Sequence, residues 1–563
     1  MSQNQSSRKW YQNAVVYQIY PRSFYDTNND GVGDINGIRQ KLNYIKSLGV
    51  NVIWLCPVYS SPMVDNGYDI SDYRNIDQSF GTLEDMDNLI KEAGELGMKV
   101  LMDLVVNHCS DKHVWFQEAI KDPKSKYANY FLFQETTNGK APNNLRSHFG
   151  DPAWTNIPGT NRWYFHAFAP EQPDLNWENP ELREEIYDMV NWWLDKGLGG
   201  FRIDAIGNLK KDKQVFEHKH FEADGPDGLT NCDPYILSQP GIEVYLSELN
   251  ERTFKPHDAM TVAEVDVPPE LLPQFVGPNG FFSMAFDFSY TDIDVKCVPQ
   301  FEDPTFTVDD IRDCIYKSQL DAQAVGWTAP YLENHDQCRS LNKYIPNDED
   351  RGYKSASMLG TLFFCLRGTP FIYQGEELGM TNVVMNDISE YNDVLVQNQV
   401  KVGLDIGKTK EWMLRYFNRR SRDNARTPFP WNGEENAGST GKGVKPWLKV
   451  NPNNNVINVE KEEKDENSVL NFYRRLIDLR QNSEIHDELV YGNFVTTEHK
   501  GGIIAYRRQY NGRSVLVINN FVNTEQIIDA PKGKLVFQNF GPLNESNGKV
   551  TVAPFQSLVF LEN

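Results

Sequence analysis

The chain has 563 residues, which is enough for two or three domains around a large buried core. Its formal net charge is −22, from 56 basic and 78 acidic residues, and this acidic surplus argues against nucleic acid or an anionic membrane surface as a partner. The N-terminal residues lack the apolar segment of a secretory signal, and no stretch approaches the roughly 20 apolar residues of a bilayer span. A cytoplasmic protein is therefore expected.

The cysteines support the same expectation. Their number, seven, is odd, and no two of them form a CxxC pair. Several lie inside apolar runs such as VIWLCPV and LFFCLRG, where a small thiol is usually a buried side chain. We expect free thiols rather than disulfides or metal ligands at Cys56, Cys109, Cys232, Cys297, Cys314, Cys338 and Cys365.

Eight apolar, β-branched runs of strand length recur along the chain, with helical segments between them. Because these runs are nearly continuous in apolar residues, both faces of each strand should be buried, as in a parallel sheet. The segments 35–49 and 83–97 have helical periodicity, and each ends on a glycine. The economical solution is α/β, a (β/α)8 TIM barrel, with strands at residues 15–20, 50–58, 99–106, 200–206, 260–265, 282–288, 326–332 and 369–375.

Three parts of the chain depart from a simple repeat of strand and helix. The stretch between strands three and four is rich in Asn, Pro, Gly and aromatic residues, and predicts a small inserted domain over the active site. A polar extension, 376–468, follows strand eight and precedes a helix that closes the barrel. The tail alternates apolar and polar residues, which predicts a C-terminal antiparallel β-sandwich. The predicted domains are a barrel from 1–108 and 177–488, an insertion at 109–176 and a β-domain at 489–563.

Four short stretches place chemically active side chains at the ends of predicted strands. They are DLVVNH (103–108), GFRIDA (200–205), VAEV (262–265) and ENHD (333–336). Three of their acids, Asp204, Glu264 and Asp336, follow three different strands. Because the carboxyl ends of barrel strands form one rim, where barrel enzymes carry their active sites, these acids should lie together.

A pair of such carboxyl groups suits glycoside hydrolysis, in which one acid attacks and the other protonates the leaving oxygen. Arg202 and Asp204 are two residues apart on a strand and share a face, so the guanidinium should hold Asp204 ionised with a low pKa. Glu264 lies between an alanine and a valine, and this dry setting should raise its pKa, as a general acid requires. His335 and Asp336 offer a donor and a third carboxylate for sugar hydroxyls.

These stretches resemble the four short sequence regions of the α-amylase family of glycoside hydrolases, family 13. QPDLNW (172–177) further resembles the signature of its oligo-1,6-glucosidase and α-glucosidase branch. VVYQIYPRSF near the N-terminus, GYDISDY (67–73) and SRDNARTPFPW (421–431) extend the resemblance over nearly the whole chain. The family fold it implies is a catalytic barrel, a small insertion after strand three and a C-terminal β-domain.

The resemblance implies a role for each of the three acids. Asp204 is implied to be the nucleophile, Glu264 the general acid/base, and Asp336 the residue that engages the 2- and 3-hydroxyls. The implied enzyme is a retaining, exo-acting α-glucosidase that hydrolyses the non-reducing terminal α-1,6 or α-1,4 bond of isomaltose, isomaltooligosaccharides, maltose or sucrose. Small oligosaccharides are its expected partners, and no organic cofactor is expected.

The same resemblance implies a closed pocket for one terminal glucose. Asp69 and Arg422 would form a pair at its blind end, which would leave no room for sugar beyond the terminal unit. Phe149 and Phe168 of the inserted domain would either stack near the scissile bond or belong to the core of that domain. The other residues implied to hold the glucose are His108, Arg202 and His335.

The segment DTNNDGVGD (26–34), after strand one, places oxygen atoms at alternate positions. Gly31 occupies the position of the sharp turn in an EF-hand loop, but the twelfth position is Gly37 instead of a bidentate glutamate. An Asx-rich turn without metal is the alternative. The resemblance favours a structural calcium ion, or magnesium, with ligands from Asp26, Asn28, Asp30, the Val32 carbonyl and Asp34.

Linkage preference depends on Ala205, directly after the implied nucleophile. Relatives that favour α-1,6 bonds usually carry Val there, and α-1,4-specific relatives carry Ala or Thr. A methyl-scale change in a pocket contributes only about 1–3 kcal/mol to discrimination. The overall resemblance therefore favours an oligo-1,6-glucosidase, while this position favours a maltase or sucrase.

Two other functions on the same scaffold stay open: trehalose-6-phosphate hydrolase and sucrose isomerase. The first would need a basic cluster around the leaving group, for which Lys210 and Lys211 are the candidates. A non-catalytic carbohydrate-binding relative, such as the barrel domain of a transporter heavy chain, is disfavoured because all three acids are present. A monomer or a weak homo-oligomer is expected.

Overall fold

A barrel of eight parallel strands forms the centre of the molecule, in a computed structural model that describes residues 8–295 and 305–562. The strands are β1 (Val16–Ile19), β2 (Val52–Leu55), β3 (Lys99–Val105), β4 (Gly200–Asp204), β5 (Met260–Ala263), β6 (Met284–Phe286), β7 (Thr328–Ala329) and β8 (Phe371–Tyr373). From β1 to β7 each strand pairs with the next one, and β1 also pairs with β8. A parallel bridge between Tyr331 and Phe371 joins the β7 and β8 sides. The predicted (β/α)8 fold is confirmed.

Helices surround the barrel, and local sequence signals explain several of their ends. Thr82 and Asp85 form a capping box at the start of the predicted helix 83–97. The predicted helix 35–49 is observed as two short helices, and Gly49 ends the second with a φ of 97°, a conformation that favours glycine. The helices between strands are Ile35–Gln40, Leu42–Leu48, Leu83–Glu95, Pro180–Asp195, Ile242–Leu249, Leu272–Val276, Val308–Val325 and Tyr353–Phe364.

The segment inserted between β3 and β4 forms a small unit of its own. It contains the helix Val114–Lys121 and an antiparallel sheet of Phe133–Glu135, Arg162–Phe165 and Trp154–Asn156. A further short strand, Leu145–Arg146, pairs with Thr230–Asn231 from the segment that follows β4. One apolar cluster joins both segments, with Leu145, Trp154 and Phe165 on one side and Val215 and Ile236 on the other. The wall above the barrel is therefore built from two separate pieces of chain.

The extension after β8 returns to the barrel. Its helices Val394–Asp405 and Lys410–Arg420 share an apolar cluster that includes Met413 and Phe417. The predicted closing helix is observed as Val469–Asn482 and packs on the helices Leu42–Leu48 and Tyr353–Phe364.

Two antiparallel sheets form the C-terminal domain. One has five strands in the spatial order Asn493–Thr496, Ile503–Tyr510, Arg513–Asn520, Ser557–Glu562 and Lys534–Gln538. The other has three, in the order Gln526–Asp529, Lys549–Val552 and Asn544–Ser546. Side chains from both sheets, such as Leu516 and Val550, meet in one buried cluster. The predicted β-sandwich is confirmed.

The six cysteines in the described part of the chain are all free, and five of them are buried. Cys314 is the partly exposed one, and Cys297 lies outside the described residues. Over residues 8–295 and 305–562, we find no helix that combines the length and the apolar character needed to cross a membrane.

Candidate active site

Strand β4 carries an arginine whose guanidinium contacts three carboxylates. Arg202 is 1% exposed and lies opposite Asp103 of β3 in the strand register. Its Nη1 donates to Asp103 Oδ1 at 2.5 Å and to Asp204 Oδ1 at 2.8 Å. Its Nη2 lies 2.5 Å from Glu264 Oε1. Since Asp204 ends β4 and Glu264 directly follows β5, the adjacent strand ends bring two of the three predicted catalytic acids around one cation.

Both Asp204 and Glu264 have raised pKa values. Burial raises the pKa of Asp204 to about 7, against the opposing effect of Arg202. Burial also raises the pKa of Glu264 to about 7; Arg202 opposes this rise, and the charges of Asp204 and Asp336 add to it. The raised pKa predicted for Glu264 is confirmed. The low pKa predicted for Asp204 is wrong, because burial among several acids outweighs one shared guanidinium.

The residue after Asp204 has a left-handed backbone. Ala205 has φ 44° and ψ 36°, a region that residues other than glycine occupy infrequently. In this conformation its N–H donates to Glu264 Oε2 at 3.0 Å. The other oxygen of Glu264 contacts Arg202, so both of its oxygens are bound. The turn at Ala205 thereby connects Asp204 to Glu264 through a backbone hydrogen bond.

Asp336 and His335 lie in the loop after β7. Asp336 Oδ1 accepts hydrogen bonds from Arg422 at 3.1 Å and Arg426 at 3.0 Å, and its Oδ2 lies 3.0 Å from His335 Nε2. Burial alone would raise the pKa of Asp336, but His335 and the two arginines hold it well below its ordinary value. His335 is fully buried, and its Nδ1 is 2.8 Å from Gln18 Nε2. Asp336 is thus expected to be ionised at neutral pH.

The loop after β2 contributes a different acid from the predicted one. The carboxylate of Asp69 is fully buried and accepts the N–H groups of Val64 and Asp65, both at 3.0 Å. Arg422 Nη2 instead lies 3.1 Å from Asp65 Oδ1. The predicted pairing of Asp69 with Arg422 is therefore wrong. Asp69 folds the loop by binding its backbone, and this fold directs Asp65 into the pocket.

Arg422 joins acids from three loops at one end of the pocket. Besides Asp65 and Asp336, it binds Asp393, with Nη2 to Oδ1 at 2.6 Å and Nε to Oδ2 at 3.0 Å. Its guanidinium also lies 5.3 Å from the centre of the Phe149 ring. Sequence reasoning missed Asp65 and Asp393, although Asp65 lies only two residues before the quoted stretch GYDISDY. This network closes the pocket at that end.

QPDLNW holds His108 in place. Gln172 Nε2 lies 3.1 Å from His108 Nε2 and 3.3 Å from Asp65 Oδ2. His108 Nε2 is also 3.1 Å from the Tyr68 carbonyl oxygen, and the Tyr68 hydroxyl is 2.6 Å from His335 Nε2. Gln172 and Tyr68 were not predicted as site residues, yet both lie in stretches that carry the family resemblance. They connect the two predicted histidines of the site.

Phe149 and Phe168 line the pocket from the inserted segment. Their rings meet edge to face at 5.6 Å, and the Phe168 ring is 4.9 Å from His108. Phe168 also packs against the apolar cluster of the inserted segment. Phe168 therefore lines the pocket and also belongs to the small core, and its stacking near the scissile bond stays a prediction.

The pocket brings together most of the predicted site residues. Arg202 and His335 lie just behind its wall, where they bind the carboxylates. A second cavity of about 270 Å³ adjoins Glu264 and Asp336 and is also lined by Asp292, Asp294, Lys343 and Arg420. The residues that line the first pocket are Asp65, Tyr68, His108, Phe149, Phe168, Asp204, Glu264, Asp336 and Arg422.

The loop 26–34 is closed by hydrogen bonds to its own backbone. Asp26 accepts the N–H groups of residues 28, 29 and 31, and Asp34 accepts those of Thr27 and Gly37. Asn28 and Asp30 bind each other. The atoms of this loop that could bind a cation are all oxygens, which suits a hard cation. However, Asn28 and Asp30 would have to exchange their mutual hydrogen bonds for such an ion.

The comparisons with known proteins agree with this geometry. The family model "Alpha amylase, catalytic domain" matches residues 18–492, and the model "Alpha-amylase SusG C-terminal domain" matches residues 503–559. The chain belongs to the α-amylase family. It is accordingly a glycoside hydrolase, as the resemblance implied.

Within the α-amylase family, its relatives have several activities. An oligo-1,6-glucosidase of Halalkalibacterium halodurans is 40% identical, over 99% of both chains. The crystal structure of a trehalose-6-phosphate hydrolase from Bacillus licheniformis has a TM-score of 0.89 and 38% identity, covering 99% of this chain and 100% of that one. The isomaltulose synthase of Klebsiella sp. LX3 has a TM-score of 0.92 and 35% identity, covering 98% and 99%.

Proposed function

We propose that the protein is a retaining, exo-acting α-glucosidase of the oligo-1,6-glucosidase type. It removes glucose from the non-reducing end of short oligosaccharides such as isomaltose. The observation that carries the proposal is the ion pair between Arg422 and Asp65, which closes the pocket beside the three acids. A pocket that is blind at this end accepts a chain terminus and excludes the middle of a polysaccharide.

In the proposed reaction, the Asp204 carboxylate attacks the anomeric carbon while the Glu264 carboxyl group donates its proton to the departing oxygen. The resulting β-glucosyl ester is hydrolysed by water, which Glu264 deprotonates, and the product keeps the α configuration. Esterification removes the charge of Asp204, which is one cause of the raised pKa of Glu264. The pKa of Glu264 then falls, so that the acid of the first step becomes the base of the second.

Asp336 is proposed to bind the 2- and 3-hydroxyls. His335, Arg422 and Arg426 hold the pKa of Asp336 low, and an ionised carboxylate is a strong acceptor for hydroxyl groups. The positive charge that develops on the ring in the transition state is also stabilised by this fixed negative charge. His108 and Asp65 complete the polar surface around the terminal glucose, and His335 supports Asp336 from behind the pocket wall.

Charges in the structure disfavour trehalose 6-phosphate as the substrate. Lys210 and Lys211 are each bound to a carboxylate already, at 2.5 and 2.7 Å. In the second cavity, Lys343 and Arg420 both face Asp294, at 3.5 and 3.0 Å. A phosphate group there would meet paired cations and additional acids. A leaving group that is a neutral sugar fits this surface better than one that carries a phosphate.

A comparison of kcat/KM on isomaltose, maltose, sucrose and trehalose 6-phosphate tests the proposal. Isomaltose or maltose should be the best substrate, and glucose should be released as the α-anomer. Preferential release of glucose 6-phosphate from the phosphorylated disaccharide would establish the alternative hydrolase. Conversion of sucrose into an isomer without net hydrolysis would establish the isomerase.

The substitution Ala205→Val should raise the ratio of α-1,6 to α-1,4 activity by about tenfold, because the added methyl groups narrow the space beside the scissile bond. A β-branched residue is also strained at a φ of 44°, so a loss of roughly 1–3 kcal/mol in stability is expected. The measurement is kcat/KM on isomaltose and maltose, with thermal unfolding. Ala205→Gly is the control, which relieves the strain and should not raise the ratio. An unchanged ratio in the valine variant would rule out this specificity argument.

We further propose a structural calcium ion, or magnesium, in the loop 26–34, on the basis of its five oxygen atoms at alternate positions. The ion would support the connection that follows β1 and would take no part in the reaction. Exhaustive chelation should lower the unfolding temperature, and added calcium should restore it. If stability is the same with and without the ion, the loop is an Asx-rich turn.

The cytoplasm is the proposed location, and a monomer or weak homo-oligomer the proposed state. The free, buried cysteines support a reducing compartment, because disulfides are rare there. The net charge of −22 supports a dispersed protein. Sedimentation at several concentrations measures the oligomeric state.

A further inference from the structure

A histidine, a cysteine and an aspartate meet where the two pieces of the upper wall touch. His148 belongs to the inserted segment, whereas Cys232 and Asp233 begin the helix Asp233–Ile236 in the segment after β4. Each offers one ligand atom, and the three atoms lie within 4.8 Å of one another. Within residues 8–295 and 305–562, no other three His, Cys, Asp or Glu side chains come together in this way.

The spacing is close to that of a tetrahedral zinc site. With Zn–S of about 2.3 Å and Zn–N or Zn–O of about 2.0–2.1 Å, the ligand atoms of such a site are separated by roughly 3.3–3.6 Å. His148 Nδ1 and Asp233 Oδ1 are already 3.3 Å apart. The third atom needs a shift of little more than an ångström to complete the set.

One atom each of His148 and Asp233 is bound by a neighbouring side chain, and the other atom of each points into the cluster. Asn208 lies 3.1 Å from His148 Nε2, and Asn231 donates to Asp233 Oδ2 at 3.1 Å. Metal ligands are oriented by second contacts of this kind. Asp233 Oδ1 is shielded from solvent and accepts no hydrogen bond, but it forms an ion pair with His148 Nδ1 at 3.3 Å. A cation between the two atoms would replace this contact with a bond to each of them.

We propose that His148, Cys232 and Asp233 bind one Zn²⁺ ion, or a similar soft divalent cation, with water as the fourth ligand. The mixture of sulfur, nitrogen and oxygen selects against calcium and magnesium, which prefer oxygen alone. The side chains of His148 and Asp233 are 26% and 36% exposed, which provides an entry path and room for the water. With the ion bound, Cys232 would be a metal ligand, whereas the structure has it as the free, buried thiol expected from the sequence.

The ion would join two segments that are far apart in the chain and share one apolar cluster, and the inserted segment of the two lines the pocket. The His148 ring lies 4.8 Å from Phe168, which lines the pocket, and the next residue, Phe149, lines it as well. Zinc would therefore stabilise the inserted segment. It would also restrict both rings beside the bound sugar.

Binding of Co²⁺ and Zn²⁺ to the chelator-treated full chain tests the proposal. One Co²⁺ per chain should bind with a near-ultraviolet thiolate-to-metal charge-transfer band, and one Zn²⁺ should displace it and raise the unfolding temperature. Cys232→Ser should abolish the band and weaken Zn²⁺ binding by at least about 100-fold. Cys314→Ser is the matched control, since Cys314 is free, partly exposed and distant in the chain. It should behave as the wild type.

The variant Asp233→Asn, measured beside Cys232→Ser, provides an independent readout. Both variants should retain their fold, which circular dichroism checks. Because Cys232 is buried in the apolar cluster, the rise in unfolding temperature on Zn²⁺ addition is compared with each variant's own metal-free value. Asp233→Asn should weaken Zn²⁺ binding while the thiolate band persists at higher Co²⁺ concentration. Failure of the wild type to bind one Co²⁺ with a thiolate band, or equal binding by folded Cys232→Ser, would overturn the proposal.

Discussion

Asp204→Asn should reduce kcat by a factor on the order of 10⁵ and leave the fold intact. The amide has nearly the same shape, and its oxygen can still accept the hydrogen bond from Arg202 that is 2.8 Å long in the wild type. It is, however, a poor nucleophile, so the covalent intermediate cannot form. Release of the chromophore from 4-nitrophenyl α-glucoside measures the loss, and circular dichroism and thermal unfolding test the fold.

The matched control for this variant is Asp287→Asn. Asp287 is also a buried acid near the end of a barrel strand, β6, but its carboxylate binds Ser318 and Ser289 rather than the residues of the pocket. This substitution should keep activity within about tenfold of the wild type. The amide can replace the carboxylate in all but one of its hydrogen bonds, and none of them reaches the pocket. A folded Asp204→Asn variant with near-normal kcat would refute the assignment of the nucleophile.

Glu264→Gln should lower kcat/KM on isomaltose by a factor on the order of 10³–10⁴, since the leaving oxygen then departs without a proton. The first step should be far faster for a substrate with a good leaving group than for isomaltose. The glucosyl enzyme should then accumulate. Azide, which needs no general base, should restore turnover and yield α-glucosyl azide. The Asp204→Asn variant is the comparison, because azide should not restore it through the same intermediate.

The pH profile distinguishes the two acids. Burial raises the pKa of Glu264 to about 7, so the wild-type enzyme should lose kcat/KM above that pH as Glu264 releases its proton. At lower pH the rate should fall as Asp204, also with a pKa of about 7, becomes protonated. The pair titrates together, so the measured limbs belong to both groups. In Glu264→Gln the alkaline decline should disappear, and a decline that persists would assign the general acid to another group.

The barrel and the convergence of Asp204, Glu264 and Asp336 were predictable because they depend on short-range patterns. Continuous apolar runs identify strands, and the acids that directly follow these runs must meet on one rim. Asp103 was also recoverable in principle, as it lies opposite Arg202 in the register of adjacent strands. The sequence therefore predicts well which acidic side chains meet at the rim of the barrel.

The remaining parts depend on loop conformation and on charge in three dimensions. Asp65 and Asp69 lie four residues apart in one loop, and only the fold shows that Asp69 turns back to its own backbone. The segment after β4 supplies part of the upper wall, although nothing in its composition indicates this. The pKa of Asp204 is set by the balance of burial against one arginine shared among three acids. A sequence contains no measure of that balance.

The network around Arg422 has a consequence for the order in which the enzyme is assembled. A ribosome that has completed β8 has already produced Asp65, Asp204, Glu264 and Asp336, but Arg422 follows Asp336 by 86 residues. Until this arginine arrives, acids from separate loops face each other without their common cation, and the cleft is open at both ends. The segment that follows β8 thus closes one end of the cleft. It converts the cleft into an exo-acting pocket only after all eight barrel strands have been synthesised.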